Sequence, residues 1–185
     1  HLKVLKLTNM EALSGKCFEF ALGGNNRKQK LTVLDLSGCT KITDESTLDI
    51  LSYIQLTSLH LSYSRCLASV TLKNIPIHLT NLHVLDFSYC KYCNDSVVYQ
   101  IGNTPSLSKT LECLNLRGCT AVKSIISLKN LKRLEEVHLS LLANVPAREF
   151  YSLLIVKRYK KLYLDGCRQL GYHSLDQISN KDSLV

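Results

Sequence analysis

The amino-acid sequence predicts an α/β solenoid, with a curved parallel sheet on the concave side and helices on the convex side. Two observations carry this reading. A nine-residue string, apolar at its first, fourth and sixth places, recurs seven times, beginning at residues 2, 31, 56, 82, 111, 134 and 159. Of its 21 framework side chains 18 are leucine and the others are Phe87, Val137 and Tyr159, a register that chance does not repeat seven times. The starts lie 29, 25, 26, 29, 23 and 25 residues apart, which leaves room in each unit for one short strand and a return segment. A unit of that size cannot cover its own apolar face and is stable only when stacked on neighbours.

The elements follow in order along each unit. The Leu-x-Leu core, as in Leu34-Asp35-Leu36, has the alternation of a strand, so both leucines face the interior and the residue between them faces out. A tight turn follows, marked by Gly38, Gly118 and Gly166 in three units. The ninth place holds Met10, Cys39, Ser64, Cys90, Cys119, Leu142 and Cys167. Three residues later the chain is apolar again, at Leu13, Ile42, Leu67, Cys93, Val122, Val145 and Leu170. Thr43-Asp44 and Asn94-Asp95 then offer capping oxygens where the convex helix should begin. Ile50, Ile101 and Ile178, each eleven residues past a repeat cysteine, are its expected inward residues. Pro105 and Pro146 fall between units or at helix starts, where proline is tolerated, and Gly23-Gly24-Asn25-Asn26 reads as a loop. Residues 1–185 are thus expected to form a single domain of about seven units.

The stretch from Leu31 to Leu51, LTVLDLSGCTKITDESTLDIL, resembles the cysteine-containing subclass of leucine-rich repeats. The resemblance covers nearly the whole chain and is sharpest in the units beginning at Leu31, Leu82, Leu111 and Tyr159. The units beginning at Leu56 and Leu134 depart from it, with Ser64 and Leu142 in place of the cysteine. This subclass is typical of F-box proteins that select substrates for ubiquitin ligases, and of antagonist-of-mitotic-exit-like proteins. The resemblance implies a leucine-rich-repeat domain that recognises substrate proteins. It also implies an adaptor of a cullin-type ligase, reached through an N-terminal region. Because His1 opens inside the repeat pattern, the chain is expected to be a fragment of a longer protein. The alternative is a structural or scaffold subunit of a cytoskeletal, ciliary or mitochondrial assembly, for which irregular unit lengths would be suited.

Composition excludes other classes. Hydrophobic residues at 45% and charged residues at 21% are the proportions of a folded chain and not of a disordered one. No apolar run approaches the ~18 residues needed to cross a bilayer. The net charge of +8 comes largely from Arg27-Lys28-Gln29-Lys30 and Lys157-Arg158-Tyr159-Lys160-Lys161. No nucleic-acid module accompanies these clusters, so they are read as solvated and nucleic acid is not an expected partner. Cys39, Cys90, Cys119 and Cys167 are expected to form a buried column of small apolar thiols. Cys90-Lys91-Tyr92-Cys93 follows from the same repeat arithmetic, and no second CxxC completes a four-ligand zinc set. The thiols are expected to be reduced and the protein intracellular, in cytoplasm or nucleus. Cys17, Cys66 and Cys113 lie outside the column. No metal and no cofactor are expected.

The outward residues between the paired leucines are Lys6, Asp35, His60, Asp86, Asn115, His138 and Tyr163. A polar or amphipathic row beside a leucine framework is what a solvent-facing strip should be, and the concave side of such solenoids is the usual place for a protein partner. Asp35, His60 and Asp86 would stand on adjacent strands, close enough to hydrogen-bond, yet no nucleophile or orienting group accompanies them, so no enzyme is expected. Tyr63, Tyr89 and Arg117 sit just beyond the strands, at the rim, and are of the residue types that dominate interface energetics.

Overall fold

The structure is a computed structural model that describes residues 2–14, 30–51, 55–156 and 159–171. Cys17, Gly23 to Gln29, Lys157, Arg158 and Ile178 lie outside the described residues. Seven three-residue strands form one parallel sheet in sequence order: β1 (Val4–Lys6), β2 (Val33–Asp35), β3 (Ser58–His60), β4 (Val84–Asp86), β5 (Cys113–Asn115), β6 (Glu136–His138) and β7 (Lys161–Tyr163). Each pairs with the next in the register that the leucine framework dictates, Leu34 opposite Leu59, Leu59 opposite Leu85 and Leu85 opposite Leu114. The fourth-place leucine of every unit is thus brought level with its neighbours, because any slip would turn the apolar set outward.

The return segments form α1 (Asp44–Leu51), α2 (Ser69–His78), α3 (Asp95–Asn103), α4 (Pro105–Thr110) and α5 (Ala147–Val156). The unit beginning at Leu111 differs: its return is a 3-10 turn, Ile126–Asn130, where a helix is expected. It has 23 residues to reach the next strand, and the tighter turn spans the distance with fewer of them. Conversely, the 29-residue unit beginning at Leu82 accommodates both α3 and α4, with Pro105 at the first position of the second helix.

One core runs between sheet and helices. All 15 framework side chains of the five inner units are fully buried, and Ile50 and Ile101 join them from α1 and α3. In the first and last of these units Leu5, Leu7, Leu162 and Leu164 are only partly buried, since among the described residues a neighbouring strand flanks each on one side alone. Ile42, Leu67, Cys93, Val122 and Val145 are buried as the twelfth place requires.

The cysteine column does more than fill space. Cys39, Cys90, Cys119 and Cys167 each donate from Sγ to a backbone oxygen of the preceding unit, that of Leu7 (2.8 Å), Leu61 (3.1 Å), Phe87 (3.0 Å) and Leu139 (3.1 Å). The seven cysteines among the described residues are all free thiols. At Ser64 the shorter hydroxyl is buried with no hydrogen-bond partner. The expected helix caps are also refined. Asn94 does cap α3, accepting from Ser96 N–H and Val97 N–H, whereas Asp95 accepts from the backbone N–H of Lys123 and Ser124 in the next unit. Asp44 likewise accepts from Ala68 N–H, so these carboxylates brace one unit against another.

Candidate functional site

The outer face of the sheet is built by the same alternation that builds the core. In each strand the central leucine or valine points inward, and the residues on either side of it point outward. The expected row is assembled in order, Lys6 beside Asp35, then His60, Asp86, Asn115, His138 and Tyr163. Lys6 is exposed and Asp35 to His138 are half-buried. These side chains are less free than a plain solvent strip would be, since Asp35, Asp86 and Asn115 each accept from the backbone N–H two residues on, at Ser37, Ser88 and Arg117. They hold the chain as it leaves the strand, an Asx turn repeated along the sheet.

Two polar centres stand on this row. His60 Nδ1 lies 3.7 Å from Asp86 Oδ2, and its Nε2 is 2.9 Å from Ser58 Oγ. Burial pushes the Asp86 carboxyl up, but hydrogen bonds from His60 and Ser88 outweigh it and leave the group below its ordinary value. Asp35 does not join this pair through any side-chain bond to His60; its carboxylate serves its own turn. At the second centre His138 Nε2 is 2.9 Å from Glu136 Oε1, whose other oxygen takes a 2.9 Å bond from Lys161 Nζ. The bond from Lys161, then that from His138, holds Glu136 below the usual carboxylate range. The His138 ring stacks on Tyr163, centroids 4.1 Å apart. Cys113 lies across from Glu136 in the strand register, half-buried, its thiol pushed up to about 11 by burial first and then by Glu136 and Asp86. Glu136, Lys161 and Cys113 were not among the expected site residues. Their signal was present all the same: the third place of each unit has the same outward parity as the fifth.

The rim is a backbone feature first. In every unit the third residue past the end of the strand adopts a positive φ: Asn9, Gly38, Tyr63, Tyr89, Gly118, Leu141 and Gly166. The sheet ladder runs on through this place, with Tyr63 N–H donating to Ser88 O (2.9 Å) and Tyr89 N–H to Arg117 O (2.7 Å). The neighbouring unit therefore imposes the left-handed conformation, and at a bulky residue that conformation is a genuine outlier. Tyr63 and Tyr89 stack, centroids 4.5 Å apart and planes within 9°. Arg117 Nε donates to the Tyr89 hydroxyl at 2.9 Å, and its guanidinium lies 3.8 Å from Asp165. Gly118 makes room for this group, because a Cβ there would meet the Tyr89 ring at 2.6 Å. The three expected rim residues thus form one cluster, with Tyr63 still 44% exposed.

No family model and no curated protein matches this chain. Among solved structures it is similar to a chain in the crystal structure of the Rad7 and Elc1 complex in yeast, with a TM-score of 0.64 and 21% sequence identity. The match covers 78% of this chain and 37% of the other, so the present chain spans little more than a third of that neighbour's length. The likeness is one of fold: one parallel sheet, with helices packed against it. No helix among the described residues is long and apolar enough to cross a membrane.

Proposed function

We propose that this chain is a non-enzymatic protein-recognition module, a leucine-rich-repeat domain that binds a protein partner along the outer face of its sheet and over the adjoining rim. The observation that carries the reading is the Tyr63–Tyr89–Arg117 cluster. Two aromatic rings stack at the rim, tied by a hydrogen bond to an arginine, and the Tyr63 ring remains 44% exposed. Tyrosine and arginine are also the residue types most enriched at binding hot spots. In its specific form the module presents substrates to a ubiquitin ligase of the F-box type, reaching a cullin adaptor through a further region, in cytoplasm or nucleus. Support for that form is the cysteine-containing repeat, together with a neighbour in fold crystallised as a complex with another protein.

The test is affinity purification with mass spectrometry, comparing the wild type with a Tyr63→Asn/Tyr89→Asn double variant. Asparagine tolerates the left-handed backbone, as Asn9 does at the same place in the first unit, so the fold is retained. The expected result is that proteins captured by the wild type are lost from the variant while the melting temperature changes little. An identical set of captured proteins would remove the rim from the interface. A ligase adaptor among them supports the F-box form, and a fixed-stoichiometry assembly without one moves the function to a scaffold.

A further inference from the structure

Cys113, Glu136 and His138 occupy adjacent strands on the outer face, and one ligand atom from each lies within 4.8 Å of the other two. We propose that these three side chains form a zinc-type cation site, with a fourth coordination position open to solvent on the face of the sheet. The donor set selects the metal. A thiolate and an imidazole disfavour calcium and magnesium, which take oxygen ligands, and with one carboxylate they match the mixed ligand sets of zinc.

Geometry and charge both fit. Tetrahedral zinc with bonds of about 2.0–2.3 Å holds its donors roughly 3.4–3.6 Å apart. The present spacings, 2.9 Å between His138 Nε2 and Glu136 Oε1 and none above 4.8 Å, bracket that value. The buried thiols of the column are each engaged with a backbone oxygen, whereas Cys113 stands on the outer face beside two other donors. Binding replaces the Cys113 thiol proton, which passes to solvent. One doubly charged cation then meets one thiolate and one carboxylate, so the ion and its ligands sum to zero, with the Lys161 ammonium beside them on the far carboxylate oxygen. Supporting contacts are in place: Lys161 Nζ bonds Glu136 Oε2, and Tyr163 stacks on His138, which fixes the directions of two ligands before the ion arrives. Bonds to Lys161 and His138 account for Glu136 by themselves, but not for a thiol standing beside the same carboxylate and imidazole.

The site is tested by titrating Co²⁺ into the full chain carrying Cys17→Ser and Cys66→Ser, which leaves Cys113 with only the buried Cys39, Cys90, Cys93, Cys119 and Cys167. One equivalent is expected to give a thiolate-to-cobalt charge-transfer band that Zn²⁺ abolishes stoichiometrically. Cys113→Ser should eliminate the band, and Glu136→Gln or His138→Ala should weaken Co²⁺ binding at least tenfold. Melting curves in chelator establish that each variant folds. As a second measurement, Zn²⁺ should slow iodoacetamide labelling of Cys113 in the parent, read by mass spectrometry, whatever the fate of the variants. Absence of the band in the folded parent, a band that survives Cys113→Ser, or labelling indifferent to zinc would each overturn the site.

Discussion

Asp86 shows how one side chain serves two ends. Its Oδ1 accepts from Ser88 N–H at 2.8 Å and fixes the turn, while Oδ2 faces His60 across the strand gap. The folded carboxyl sits below its ordinary value, near 3.9 in an unfolded chain, so folding favours the ionised form. The stability this contributes is fully present above the unfolded value and disappears as pH falls through the lower folded one. Asp86→Asn keeps an acceptor for Ser88 and removes the charge. Denaturant midpoints measured from neutral pH down to pH 3 should therefore fall less steeply for the variant at the acid end, with the two curves nearly parallel above pH 5. Parallel curves across the whole range would mean that the folded surroundings of Asp86, His60 and Ser88 together, do not favour the carboxylate. The left-handed residues of the rim are a second lesson at this scale. Gly38, Gly118 and Gly166 announce the turn in the sequence, but Tyr63, Tyr89 and Leu141 hide it, because their own preference is against a positive φ. Only the ladder to the next unit, invisible in any local window, forces them into it.

At the scale of the element, a unit with cysteine at its ninth place is joined to the one before it by that thiol. Four units make this bond, and the unit beginning at Leu56 carries Ser64 at the same place, with its hydroxyl buried and unpartnered. Ser64→Cys supplies the longer arm and the missing donor. It is expected to stabilise the protein by about 1 kcal/mol, the scale of one recovered hydrogen bond and one relieved buried polar group. Thermal or denaturant unfolding decides it, and a loss of stability would show that the pocket around residue 64 is too small for sulfur. Strands were legible before the structure because the leucine period leaves them no other register. Return segments were less so. A helix was expected in every unit, and the unit from Leu111 makes a 3-10 turn because chain length, not apolar periodicity, decides how tightly it must wind. Asp44 and Asp95 carry the sequence signature of caps, yet they bond to the following unit, a contact that depends on stacking.

Over the whole molecule, the contrast between interior and outer face makes the sharpest demand. Leu85 is fully buried at the centre of β4, and His60, on the neighbouring strand, keeps 29% of its side chain exposed. Leu85→Asp places a charge in the common core and is expected to unfold the protein or cost several kcal/mol. His60→Ala removes a partly exposed pair and should cost less than about 1 kcal/mol. Equal losses in unfolding experiments would mean that the two faces are misassigned. The outward row was readable unit by unit, since parity alone gives it. The convergence of Cys113, Glu136 and His138 was not, because it requires setting third and fifth places of different units side by side.

Stacking in series has a mechanical consequence. Every strand is bonded only to the strands before and after it, and the outermost leucines are already half open to water. Pulled apart by its two ends, such a chain has no single clasp whose rupture releases everything. It should instead peel from its extremities inward, yielding a staircase of small extensions, with the region around Phe87 and Leu114 the last to let go.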